Sequence, residues 1–97
     1  MSDKYEVFRS ATARAVFETP GKASRELRQA VASGTAPAEL AALVEKIHSG
    51  AYMVTDRDLD VLRSSHTEDQ LFEIIVAAAF GAAEHRLAAA RRALEMA

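Results

Sequence analysis

From Leu71 to Ala83 the chain is apolar at every position except Glu73 and Gly81, and this run forms the first half of a longer stretch from Thr67 to Met96. A helix with an ordinary solvent face carries a polar residue every third or fourth position. The stretch Leu71 to Phe80 carries only Glu73. The pattern therefore predicts one long helix over Thr67–Met96 whose first half is buried nearly all round. The run is shorter than the roughly 20 apolar residues that cross a membrane, and it starts acidic, so no membrane partner is expected. A soluble helical core completed by further copies of the chain fits better.

Shorter helices are predicted upstream. Tyr5, Phe8, Thr12, Ala15 and Val16 recur at helical spacing from Ser2, an available N-cap, to about Glu18, where Thr19-Pro20-Gly21 stops the helix. Ser24 caps a second, short helix with Leu27, Ala30 and Val31 on one side, closed by Ser33-Gly34. Pro37 opens a third, whose stripe runs through Leu40, Leu43, Val44, Ile47 and Ala51, with Gly50 at its end. Tyr52-Met53-Val54 bridges to a capping box, Thr55 with Asp58, that starts a fourth helix presenting Leu59 and Leu62. After the turn Ser64-Ser65-His66, Thr67 and Gln70 form a second box at the head of the long helix. Glu68 and Asp69 at its start, and Arg86, Arg91 and Arg92 towards its end, suit the helix dipole. The small residues around Gly81 suit close approach of another helix. The expected fold is all-α, a single domain over residues 1–97 with about five helices and a long C-terminal one.

Composition narrows the function. A chain of 97 residues buries only somewhere between roughly 60 and 70% of its unfolded surface, so self-association would add burial. Its twelve basic and fourteen acidic residues are interleaved and sum to −2, which gives no footprint for nucleic acid. The helix pair from Thr55 to Phe80 has a helix-turn-helix outline, but it would offer Glu68, Asp69 and Glu73 to a polyanion. The absence of cysteine excludes disulfides, thiol catalysis and thiolate metal sites. The polar N-terminus lacks the features of a signal peptide, which reads as cytoplasmic.

Three residues are candidates for chemistry. Glu73, within an apolar run, is either a desolvated general base or the partner of a cation such as Arg63. Glu84 returns to nearly the same face about 16 Å further along, too far to share a proton with it in one chain. His48 lies near Glu45 and one turn from Tyr52, as a proton-transfer group or an ordinary boundary histidine. His85 sits in the more polar half of the long helix, and His66 reads as an exposed turn residue. No histidine pair has ligand spacing, so neither metal nor cofactor is expected. Lys22, Arg25 and Arg28, with Glu26 among them, read as a solvated basic face.

The segment Tyr52-Met53-Val54-Thr55-Asp56-Arg57-Asp58-Leu59-Asp60-Val61-Leu62-Arg63, with Ser65-His66-Thr67-Glu68-Asp69-Gln70-Leu71-Phe72-Glu73-Ile74-Ile75-Val76-Ala77-Ala78-Ala79, resembles the helical core of the carboxymuconolactone decarboxylase and alkylhydroperoxidase D superfamily. The likeness spans about Leu40 to Leu87 and lies in helix starts more than in site residues. It implies a helical subunit assembled as a trimer, hexamer or related ring. The peroxidase branch of that superfamily uses a Cys-x-x-Cys pair, which this chain lacks. The decarboxylase branch acts on a small lactone acid without a cofactor, and none of its site residues is matched by motif here. The expectation is a cysteine-free, alkylhydroperoxidase D-like homo-oligomer with a binding or accessory role. The alternative is a cofactor-independent decarboxylase or isomerase type of enzyme, moving a proton on a small organic acid or lactone with Glu73 and His48 or His85.

Overall fold

A computed structural model describes residues 2–18, 20–50 and 54–96, with side chains from Ser10 onward. Among these it is all-helical: α1 (Ser2–Phe17), α2 (Arg25–Ser33), α3 (Ala38–Ser49), α4 (Asp56–Leu62) and α5 (Glu68–Met96). Tyr5, Phe8, Thr19, Ala51, Tyr52 and Met53 lie outside the described side chains, and Ser2 is itself helical.

The helix boundaries follow from local chemistry. Ser24 Oγ accepts from Leu27 N–H at the head of α2. At the other end Gly34 sits at φ 83°, a conformation that costs glycine nothing, while Thr35 N–H returns to Ala30 O at 2.9 Å. Pro37 caps α3 without a side-chain bond. Both capping boxes form: Thr55 N–H donates to Asp58 Oδ2 at 2.8 Å, and Thr67 N–H to Gln70 Oε1 at 2.9 Å. In return Asp58 N–H and Gln70 N–H donate to the two threonine hydroxyls.

α2 and α3 pack on one face of α5, and the core forms between them from Val31, Leu40, Leu43, Val44, Ile47, Leu71, Ile74, Ala77 and Ala78. Val16 and Phe17 of α1 pack on its edge, and the Phe17 ring meets Phe80 edge-on with centroids 5.6 Å apart. Ala15, placed by spacing on the same apolar side, is exposed. Gly81 has its expected role: a Cβ there would overlap the backbone of Ala32, so glycine is what lets α2 lie against α5.

Burial of the long helix is one-sided within the chain. Leu71, Ile74, Ala77, Ala78, Gly81 and Ala82 are buried, whereas Phe72 is 68% exposed and Ala79 and Ala83 also face outward. Among the described residues the short helices reach only one side of α5, and residues 88–96 are exposed. At about 43 Å, a helix of this length runs nearly the full 46 Å of the molecule's long dimension. Among the described residues no helix is long and apolar enough to cross a membrane.

Candidate functional site

Glu73 points at the loop before α2. Its two carboxylate oxygens accept the backbone N–H groups of Lys22 and Ala23, each at 2.8 Å. One turn earlier, Gln70 Nε2 donates to Lys22 O at 3.4 Å. Gly21 permits the approach, because a side chain there would meet the Glu73 carboxylate. The Ala23 N–H, then that of Lys22, holds Glu73 below the usual glutamate range, with the charges of Arg28 and Lys22 adding and partial desolvation opposing. The reading of Glu73 as a desolvated base of raised pKa is not met in the folded chain, and Arg63, named as a cation that could pair with it, pairs here with Glu68 at 2.7 Å and with Asp60. Backbone N–H groups of the loop before α2 satisfy both carboxylate oxygens.

The basic cluster on α2 divides. Lys22 and Arg25 are exposed as expected, but Arg28 is only 4% exposed. Its Nη1 donates to Val16 O at 2.7 Å, tying the end of α1 to α2. Beside it lies a cleft of about 250 Å³ lined by Val16, Pro20, Arg28, Phe72, Glu73 and Val76.

Two histidines 37 residues apart in the sequence come together. His48 on α3 and His85 on α5 lie with ring centroids 5.6 Å apart at 44°. His48 Nε2 bonds Val31 O at 3.0 Å, and Arg86 Nη2 donates to His48 O at 2.7 Å. They border a shallow depression of about 350 Å³ with Val44 and Glu45. Sequence spacing held no trace of this pair, because it arises from helix packing. His66, expected to be exposed, is largely covered, with Nδ1 3.0 Å from Ser65 Oγ and Nε2 3.9 Å from Glu39. Among the described residues no group of three or more histidines and carboxylates could hold a metal.

Glu73 does not join the histidines. It lies twelve residues before His85 on one helix, about 18 Å along the axis. Among the described residues His48 thus meets His85 and Glu73 meets a loop, and these two clusters do not form a carboxylate–histidine couple of the kind proton transfer needs at about 3 Å.

The outward face of α5 carries an apolar line. Phe72, Val76, Ala79, Ala83, Leu87, Ala90 and Leu94 follow one another at steps of four, three, four, four, three and four. At about 100° per residue they stay within about 40° of a single line opposite the core-facing residues. All are exposed except half-covered Leu87, and Phe72 and Leu94 are 68% and 78% exposed. Positions 72, 83 and 94, then 76 and 87, then 79 and 90, repeat every eleven residues, a period that keeps an apolar line nearly straight on a helix. That repeat was readable in the sequence, where the overall greasiness of residues 71–83 masked it.

No family model, curated protein or solved structure matches this chain.

Proposed function

We propose that the chain is a helical self-association protein with a binding or accessory role, an alkylhydroperoxidase D-like subunit that works as a cytoplasmic homo-oligomer. The observation that carries this reading is the unbroken apolar line on the outward face of α5. Large apolar patches left open on a folded chain mark interaction surfaces. Phe72, Val76 and Leu94 are each exposed. Covering a side chain of this size yields about 1.5–3 kcal/mol, so two copies gain on the order of 10 kcal/mol before the alanines are counted. That is comparable with the roughly 4–15 kcal/mol cost of association, so assembly should depend on concentration.

An enzymatic role on a small organic acid or lactone finds less support, because Glu73 is held by backbone N–H groups and stands apart from His48 and His85. Sedimentation equilibrium from low to high micromolar concentration tests the proposal. The expected result is a mass that rises above the 10.5 kDa of one chain as concentration increases. A constant 10.5 kDa over the whole range would overturn it.

A further inference from the structure

We propose that the outward face of α5 is covered by α5 of a second copy running antiparallel, with a two-fold axis beside Ala83. This rests on the self-association reading above and gives it a geometry. The steps between the exposed apolar residues read the same in both directions about Ala83. Reversing one helix therefore sets Phe72 against Leu94 of the other copy, Val76 against Ala90, Ala79 against Leu87, and Ala83 against itself. Large then meets small in two of these pairs, and an even layer of side chains fills the seam. A parallel pair would stack Phe72 on Phe72 and Ala79 on Ala79, leaving bulges and gaps along the same line.

Charge favours the same direction. Antiparallel packing sets the positive N-terminal end of each α5 dipole beside the negative C-terminal end of the other, whereas parallel packing places like ends together. Alanines at the centre of the seam suit a separation at the short end of the usual 8–10 Å between helix axes. The seam is about 33 Å long from Phe72 to Leu94, and most of it lies outside the groove that α1 makes with α5. A two-fold contact also limits the assembly: it forms dimers, or rings that contain dyads such as a hexamer of paired trimers, and no lone trimer.

Because the chain has no cysteine, a single introduced thiol reports on a single contact. In the full chain, Ala83→Cys under mild oxidation should form a covalent dimer, since the two copies of residue 83 meet at the axis. Ala90→Cys should not, because its copies lie about 21 Å apart along the seam, beyond the roughly 4.4–6.8 Å Cα separation of a disulfide. Mixing Ala79→Cys with Leu87→Cys should cross-link the two variants to each other while each stays uncross-linked with itself, a second readout should Ala83→Cys fold poorly. Sedimentation of the unmodified chain separates the two levels of inference. An oligomer in which Ala90→Cys cross-links as readily as Ala83→Cys, or in which neither Ala83→Cys nor the mixture cross-links, overturns the antiparallel pairing and leaves self-association standing. A monomer overturns both.

Discussion

The two faces of α5 are built from the same residue types and have opposite fates. Inward, Leu71, Ile74, Ala77, Ala78 and Ala82 are at most 3% exposed and locked against α2 and α3. Outward, Phe72, Val76, Ala79 and Ala83 alternate with them along the same turns and meet solvent. Composition cannot separate the two faces; only the length and placement of the neighbouring helices do. Folding of the chain thus uses one side of this element and leaves the other to solvent, so each side can be perturbed without the other.

The sharpest break between the faces comes from truncating one residue on each. Ile74 has no exposed surface, so Ile74→Ala removes buried carbons and leaves a cavity, lowering unfolding free energy by about 2–5 kcal/mol in urea denaturation. Phe72→Ser, two positions away and on the other face, should move monomer stability by no more than about 0.5 kcal/mol. The same substitution should shift the sedimentation curve of the assembly to higher concentration. Equal effects of the two on unfolding of the dilute monomer would erase the distinction.

Gly81→Ala comes next in size. Helix propensity alone would reward alanine by up to about 1 kcal/mol. Its methyl would overlap Ala32 backbone, which is a segment of helix and cannot swing aside as a side chain would. Overpacking of this kind costs about 1–3 kcal/mol, so a net loss is expected in thermal or chemical melts. A gain would mean that α2 and α5 are further apart than described.

The helix starts were written in short-range chemistry, in Ser24, Pro37, Thr55 with Asp58 and Thr67 with Gln70, and all of them form. The packing role of Gly81 was legible as well, because a glycine amid alanines has few other uses inside a helix. Contacts across the fold were not. Glu73 binds a loop fifty residues earlier, Arg28 is buried against Val16 O, and His48 meets His85, each through packing that no local pattern encodes. Glu73 misled for a physical reason: a carboxylate in an apolar run can be satisfied by backbone N–H groups, which are invisible as a sequence signal.

Glu73 stands at the seam between the two faces. Glu73→Gln keeps one oxygen for an N–H of Lys22 or Ala23 but sets an amide NH₂ against the other donor and removes the charge. The loss of one charge-assisted bond should cost about 1–2 kcal/mol in folding. Because the group titrates low when folded, its contribution is complete above the ordinary glutamate range and is lost as pH falls through its lowered value. Wild type and variant should therefore converge at acid pH. An unchanged stability gap down to the lowest pH at which both fold would show that the carboxylate charge contributes nothing.

The smallest effect belongs to the ion pair that joins α3 to α4. Lys46 on α3 reaches both oxygens of Asp58 at the head of α4, at 2.8 and 2.9 Å. That ammonium, followed by the Thr55 N–H, lowers the Asp58 pKa from 3.8 to about 2. Unfolding releases the carboxylate to its ordinary value, so the folded chain binds fewer protons than the unfolded one between these limits. The contribution is full above pH 3.8 and disappears as pH falls towards about 2. Both side chains are partly exposed, and salt screens such pairs, so the effect should be small and should shrink further in concentrated salt. The measurement is the stability difference between wild type and Asp58→Asn as a function of pH, which cancels the other carboxylates common to both. It should narrow across this window while the sedimentation behaviour of the two proteins stays alike. A difference that widens towards acid would mean that Asp58 is not held ionised by Lys46, and a change in association would mean that the α3–α4 corner belongs to the contact between copies.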